Sequence, residues 1–196
     1  LVIGSANYDL VLNVDHFPAA GETVLAQDMH GLPGGKGANQ AYAARRLGAE
    51  VSFLGAVGLD KEGKAILQNL NRVGVNTDAV MNIEDVGTGF AMVPVNAAGE
   101  NSIIVSPGAN AQFSPEMIRE HESLFEAHDI IMLQLEIPIE TVLEAAKLAK
   151  SYGKFVIVDP APALAPEDMP VELFKYVDLM TPNKQELQIL AGQDGS

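Results

Sequence analysis

A glycine-rich segment, Gly34-Gly35-Lys36-Gly37-Ala38-Asn39, precedes a helical pattern and is the strongest local signal for ligand binding in this sequence. Closely spaced glycines relieve Cβ crowding, and a helix N-terminus offers backbone N–H groups that could hold ligand hydroxyls or an anion. A tight turn into a helix, with a solvated Lys36, explains the same spacing. The segment is not a Walker A loop, which needs glycine in place of His30, nor a dinucleotide-binding loop, which needs Gly or Ala in place of Gln40.

Polar side chains also follow the apolar runs that are typical of buried strands. Asn7 and Asp9 follow the first run, Glu136 follows a later run, and Asn183 and Glu186 follow the last. Ligands of open parallel sheets bind at the carboxyl ends of the strands, so these side chains could contact a ligand. Each also has a local interpretation: an Asx turn for Asn7 and Asp9, a helix cap for Glu136, and a capping box for Asn183 with Glu186.

The elements that must position these residues alternate along the chain. Short apolar, β-branched runs predict strands at 1–5, 51–57, 129–135, 154–159 and 177–181. Periodicity near 3.6 predicts helices at about 37–48, 61–73, 114–127, 138–152 and 183–191. The alternation predicts one α/β domain in which helices cover both faces of a parallel sheet. The apolar runs at 130–135 and 155–158 are expected to be buried on both sides.

Four further segments do not fit this alternation: 10–14, 23–30, 88–96 and 101–106. The last two flank Ala97-Ala98-Gly99-Glu100, which is typical of a hairpin connection. We expect the four segments to form a small antiparallel β-sheet that covers one end of the α/β body. This sheet is called the lid below.

Composition excludes several classes of protein. The 196 residues include 12 Lys+Arg and 26 Asp+Glu, a net charge of −14, which argues against nucleic acid or an anionic membrane as partner. Without cysteine there is no disulfide framework or thiolate metal site, and the four histidines lack metal-ligand spacing. A Mg²⁺ ion shared with a nucleotide needs few protein ligands, so it stays possible. Because no apolar run approaches the length of a membrane span, we expect a cytoplasmic globular protein.

Taken together, the motifs resemble those of the ribokinase branch of the PfkB-type carbohydrate and nucleoside kinases. The resemblance follows the family order along the whole chain: GSANYD, FPAAGETV, PGGKGANQA, TGFAMVPVNAAGEN, SPGAN, QLEIP, DPAPA and TPNKQE. One such motif would be weak, whereas the ordered set is specific. The resemblance implies a ribokinase-like α/β fold and ATP-dependent phosphorylation of D-ribose at its O5 hydroxyl.

The resemblance also implies roles for individual residues. The implied sugar-binding residues are Asn7, Asp9, Gly35, Lys36, Gly37, Ala38, Asn39, Ala91 and Glu136. Asn183 would contact the nucleotide, and Glu186 would organise Mg²⁺ through water. ATP would be the co-substrate, and a monovalent cation such as K⁺ would bind the full-length protein. In this family the lid also joins two subunits, so we expect a homodimer.

One family signature does not occur in this sequence. A G-A-G-D-like segment, which carries the catalytic Asp of the family, is not found among the 196 residues. We therefore expect an N-terminal portion that keeps the sugar-binding half of the site, is inactive alone, and has its general base beyond Ser196. The alternatives are a non-catalytic sugar-binding or dimerising module, and a PfkB-type kinase for another sugar or a nucleoside.

Overall fold

The computed structural model describes residues 1–192. The strands are β1 Val2–Ile3, β2 Asn7–Asn13, β3 Asp28–Gly34, β4 Phe53–Leu54, β5 Ala56–Gly58, β6 Met81–Ile83, β7 Gly89–Val95, β8 Ile104–Ser106, β9 Ile130–Leu133, β10 Phe155–Val158 and β11 Leu179–Met180. The helices are α1 Lys36–Arg46, α2 Lys61–Val73, α3 Pro115–Arg119, α4 Glu122–Ala127, α5 Ile139–Ser151 and α6 Lys184–Leu190. No helix within this range is long and apolar enough to cross a bilayer.

The central sheet has five strands in the order β11-β10-β9-β1-β4, and every neighbouring pair is parallel. Apolar residues of α1 and α2 pack on one face, around Val2 and Phe53. Residues of α3, α4 and α5 pack on the other face, around Ile131 and Val156. The predicted α/β fold, a parallel sheet flanked by helices, is therefore confirmed.

Strands β9, β10 and β11 are less covered on one face than their apolar sequences predict. Ile130, Phe155 and Leu179 are each about half exposed, at 47%, 46% and 45%. They share the sheet face of Met132, which packs against the α1–α2 cluster nearer the centre. The expectation that the runs at 130–135 and 155–158 are buried on both sides is wrong at the start of each strand, because α1 and α2 cover only the β1–β4 side.

Two predicted elements are divided in the structure. The helix expected at 114–127 is two helices, α3 and α4, because His121 leaves helical dihedral angles and its Nδ1 lies 2.8 Å from Met117 O. The strand expected at 51–57 is β4 and β5, which pair with different sheets. Gly55 separates them, and a Cβ atom there would lie 2.6 Å from Gly4 O, so the chain passes close to β1 at this point.

The lid is a four-stranded sheet in the order β3-β2-β7-β8. Its outer pairs, β2–β3 and β7–β8, are antiparallel as predicted, but the central pair, β2–β7, is parallel. Both central strands leave the α/β body at the same end, which makes them run in the same direction. The segment predicted at 23–30 also shifts: β3 covers Asp28–Gly34, and residues 23–26 have no regular structure.

Candidate functional site

The candidate site lies where the order of the central sheet reverses. From β1 the chain continues to β4 on one side, whereas β9 lies on the other side of β1 and leads to β10 and β11. Ligands of open parallel sheets bind in the crevice that such a reversal leaves at the carboxyl ends of the strands. Asn7 follows β1, Glu136 follows β9, and both line a cavity of about 420 Å³.

Gly35 and Gly37 allow the start of α1 to pack directly against the backbone after β1. Gly35 has a φ of 90°, and a Cβ atom there would lie 2.6 Å from Asn7 N. A Cβ atom on Gly37 would lie 2.7 Å from Ser5 N. These distances are too short for any side chain, so the glycines are required for the close approach that brings α1 to the cavity.

The backbone N–H groups of this turn are already used inside the protein. Lys36 N donates to Glu136 Oε2 at 3.1 Å and Gly37 N donates to Ser5 Oγ at 3.3 Å. Ala38 N donates to Ser5 O at 2.9 Å. The prediction that the glycine-rich turn offers free N–H groups to a ligand is therefore wrong for these three residues, because contacts with residues distant in sequence satisfy them.

Glu136 is held by one of its two carboxylate oxygens. Oε2 accepts hydrogen bonds from Ser5 Oγ at 2.6 Å and from Lys36 N. Charge-assisted bonds of this kind fix a carboxylate in one orientation. Oε1 has no partner among residues 1–192 that would compete with a ligand hydroxyl.

Asp9 lies on β2 beside Ala91 of β7, so the two form part of one row across the lid. Burial of the carboxylate raises the pKa of Asp9, the nearby charge of Glu136 raises it further, and the charge of Lys36 acts in the opposite direction. Two carboxylates and one ammonium group thus share a partly dry site. Hydroxyl donors from a ligand would stabilise the ionised form of Asp9.

A chain of amides connects this site to the next strand. Gln134 Nε2 donates to Gln40 Oε1 at 2.6 Å, and Gln40 Nε2 donates to Asp159 Oδ2 at 2.9 Å. Burial is the main cause of a raised pKa at Asp159, and the charge of Glu186 is the second. Asp159 therefore lies within electrostatic range of both Glu136 and Glu186 of α6.

Asn183 and Glu186 form a local capping box at the start of α6. Asn183 Oδ1 accepts from Glu186 N at 2.9 Å, while Glu186 Oε2 accepts from Asn183 N and Oε1 from Asn183 Nδ2, both at 2.7 Å. Asn183 is exposed and Glu186 is half-buried. Residues 1–192 contain no group of three His, Cys, Asp or Glu side chains able to hold a metal ion.

Comparison with known proteins agrees with these features. The family model described as pfkB family carbohydrate kinase matches residues 1–196. The chain belongs to this kinase family. The resemblance drawn from the sequence motifs is thereby confirmed.

Ribokinases are among the similar proteins. The ribokinase of Bacillus subtilis is 43% identical over 189 residues, covering 96% of this chain and 63% of the relative. A deoxyribokinase of Salmonella typhimurium is 39% identical over 191 residues, covering 97% and 62%. The structure of Arabidopsis thaliana ribokinase complexed with ribose and ATP superposes with a TM-score of 0.88 at 35% identity, covering 97% and 62%. The chain thus spans about three fifths of the length of these relatives.

The fold brings together most of the residues that the sequence predicted to bind a sugar. Asn7 and Glu136 line the cavity, Asp9 and Lys36 lie within electrostatic reach of each other, and Ala91 is buried beside Asp9. Gly35, Gly37 and Ala38 are buried in the packing of α1, whereas Asn39 is exposed and its N–H continues the helix to Gly35 O. Asn183 and Glu186 lie apart from this group, on α6.

Three polar residues of the site were not singled out from the sequence: Ser5, Gln40 and Asn110. All three lie within the motif strings that suggested the family. Ser5 and Asn110 are almost completely buried, at 0% and 1% exposure. A polar residue within a ligand-binding motif was the available signal, but its partners are about 100 residues away and cannot be identified from local patterns.

Proposed function

We propose that the full-length protein phosphorylates D-ribose at its O5 hydroxyl with ATP, and that this chain carries mainly the sugar-binding half. The observation that carries the proposal is that Asn7 and Glu136 line one cavity at the reversal point of the sheet. The charged groups of Glu136 and Lys36 also lie close enough to Asp9 to affect its pKa. The similarity to ribokinases, one of them complexed with ribose and ATP, supports the same activity.

In this proposal the residues of this chain bind and orient the sugar. Asp9 and Glu136 accept hydrogen bonds from sugar hydroxyls, Lys36 and Asn39 donate, and the tight turn at Gly35, Gly37 and Ala38 encloses the ring. Ala91 and the rest of the lid exclude water. Phosphoryl transfer depends mostly on positioning and on neutralising charge, so holding O5 in place is a large part of the chemistry. The general base that accepts the O5 proton is assigned to a segment beyond Ser196.

The nucleotide side is proposed to involve Asn183 and Glu186. Both carboxylate oxygens of Glu186 are engaged by Asn183, so the donor set fits a Mg²⁺ ion held through water and not by direct contact. Mg²⁺ bound with ATP supplies neutralisation of phosphate charge. In this proposal Asn183 contacts the nucleotide, and a monovalent cation such as K⁺ binds the full-length protein.

We also propose a homodimer joined through the lid. Leu32 on β3 and Ile103, Ile104 and Val105 at β8 are exposed apolar side chains of this small sheet. Leu32 and Val105 share one face of the sheet and Ile104 lies on the other, and exposed apolar side chains of this kind are typical of interaction surfaces. Light scattering of the full-length protein should give twice the chain mass, and Ile104→Lys should reduce it to the monomer. The proposed location is the cytoplasm, which supplies ATP.

Deoxyribose is the second candidate substrate. The deoxyribokinase of Salmonella typhimurium matches this chain at 39% identity, close to the value for ribokinases. The two sugars differ by one hydroxyl, and a site built to bind that hydroxyl would reject the sugar that lacks it.

Coupled ATP turnover of the full-length protein, with ribose, 2-deoxyribose and nucleosides as acceptors, tests these assignments. We expect ribose to be preferred, and Asp9→Ala to raise its KM more than tenfold because a charge-assisted bond is lost. Asp78→Ala, at an exposed aspartate in the loop before β6, is the matched control and should leave KM unchanged. An unchanged KM for Asp9→Ala would contradict the sugar-binding role.

The chain of 196 residues should bind ribose in calorimetry without turning over ATP. Turnover by this chain alone would show that the general base lies among these residues. Absence of turnover by the full-length protein, with ribose binding retained, would favour the alternative of a non-catalytic sugar-binding module.

A further inference from the structure

Asn110 is a buried amide that touches both the backbone before β2 and a sugar-side residue. Its Oδ1 accepts from Ala6 N at 2.9 Å, and its Nδ2 donates to Ala6 O at 3.1 Å. The same Nδ2 donates to Asn7 Oδ1 at 2.7 Å. Asn110 is 1% exposed and Asn7 is 3% exposed, so these bonds are shielded from water.

The backbone of Ala6 determines which way the Asn110 amide points. A backbone N–H only donates and a backbone carbonyl only accepts, so only one orientation of the Asn110 amide satisfies both. Its nitrogen then has one hydrogen left, and this hydrogen needs an acceptor. Asn7 must therefore turn its oxygen toward Asn110, and its own nitrogen is directed away.

Asn7 Nδ2 is left available to a ligand in the cavity. Asn7 lines this cavity together with Asn110 and Glu136, its Oδ1 is engaged by Asn110, and no residue among 1–192 accepts a hydrogen bond from its Nδ2. Gly89 provides the space for this pair: a Cβ atom there would lie 2.2 Å from Asn110 Nδ2 and 2.3 Å from Asn7 Oδ1. A side chain at position 89 would thus separate the two amides.

We infer that Asn110 is a positioning residue, which orients the amide of Asn7 so that a hydrogen-bond donor faces the sugar. That the ligand is a sugar rests on the proposed function, whereas the orientation of the two amides does not. The site then presents acceptors from Asp9 and Glu136 and a donor from Asn7. A sugar hydroxyl or ring oxygen that accepts a hydrogen bond is recognised by this donor, and a sugar lacking that oxygen is not.

Asn110→Asp reverses the orientation with almost no change in shape. The new carboxylate has no hydrogen to donate, so Asn7 must turn its nitrogen toward position 110 and its oxygen toward the sugar. In the full-length protein we expect KM for ribose to rise about three- to tenfold, as for one lost hydrogen bond, with kcat within about twofold. Asn82→Asp, on the exposed part of β6, is the matched control and should change neither.

A double-mutant cycle tests whether Asn110 acts through Asn7. Combined with Asn7→Ala, Asn110→Asp should raise KM no further, because the amide that it turns is gone. Additive effects would overturn the inference, since a charge at position 110 would then act directly on the sugar. If Asn110→Asp does not fold, Asn7→Asp replaces it: its oxygen still accepts from Asn110, and KM should rise by a similar factor. An unchanged KM for Asn7→Asp would also overturn the inference.

The orientation can be measured without any substrate. Both side-chain amide hydrogens of Asn110 are bonded, so in nuclear magnetic resonance they should exchange with solvent more slowly than those of Asn7. The reverse order would overturn the inference. If the wild-type protein shows no turnover with ribose, the proposed function fails, and this exchange measurement still decides the orientation of the amides.

Discussion

Two regions beside the central sheet, one after β1 and β9 and one at α6, hold their polar residues in different ways. On the side where sugar binding is proposed, called the sugar side, Ser5 bonds Glu136 across 131 positions of sequence, and Asn110 bonds Ala6 across 104. On the α6 side, Asn183 and Glu186 are three positions apart and bond each other. The first group exists only in the folded chain, whereas the second is a local helix cap. Tertiary structure therefore preorganises the sugar side, and it does so much less at α6.

The burial of side chains also differs between the sugar side and α6. Ser5, Asn7 and Gln134 are buried polar residues on the sugar side, and each has hydrogen-bond partners. Helix α6 has no buried residue within the described range, and Leu187 is 57% exposed. Buried polar contacts depend on exact shape, whereas an exposed cap does not. Substitutions on the two sides should therefore cause losses of stability that differ in size.

The largest effect is expected at Gly35. Gly35→Ala places a Cβ atom 2.6 Å from Asn7 N at a φ of 90°, so overpacking and backbone strain add. We expect a loss of about 3–5 kcal/mol in the free energy of unfolding, measured by urea denaturation. Gly48→Ala is the control, because its φ is 99° and nothing lies within 4 Å of the new atom. Equal losses would mean that strain alone matters and that the close approach at Gly35 does not.

The second-largest loss of stability is expected at Glu136, and it should exceed the loss at Glu186. Glu136→Ala leaves Ser5 Oγ and Lys36 N without their acceptor, and we expect a loss of about 2–3 kcal/mol in the free energy of unfolding. Glu186→Ala removes one half of an exposed capping box and should cost about 0.5–1 kcal/mol. Urea denaturation of both variants measures the difference. A cost at Glu186 equal to that at Glu136 would contradict the contrast between the two sides.

The smallest effect is expected at Asp9, where substitution should stabilise the fold and not destabilise it. Its folded pKa is raised above the ordinary 3.8, so ionisation opposes folding above that folded pKa and the penalty disappears at low pH. Asp9→Asn removes the penalty and should raise the melting temperature at pH 7 by a few degrees at most, while ribose binding is lost. Scanning calorimetry at pH 7 and at pH 3 measures the melting temperature, and titration calorimetry measures ribose binding. A lower melting temperature at pH 7 would show that Asp9 stabilises the fold and does not serve mainly the ligand.

The sequence predicted those features that depend on neighbouring residues. Helix α2 occupies the predicted range, with Asp60 accepting from Gly63 N at its start and Gly74 in the left-handed conformation at its end. The capping box of Asn183 and Glu186 was also apparent from the sequence, because its partners are three positions apart. The alternation of strands and helices predicted the parallel sheet, since a strand period and a helix period are local properties of the chain.

Only the tertiary structure decided how distant segments meet. The parallel pairing of β2 with β7 and the exposure of Phe155 depend on which elements lie alongside. The same holds for the N–H groups of the glycine-rich turn and for the Asn110–Asn7 pair. Periodicity records only whether a residue faces the interior. It does not record which partner is there, because a hydrogen bond between residues about 100 positions apart leaves no local pattern in the sequence.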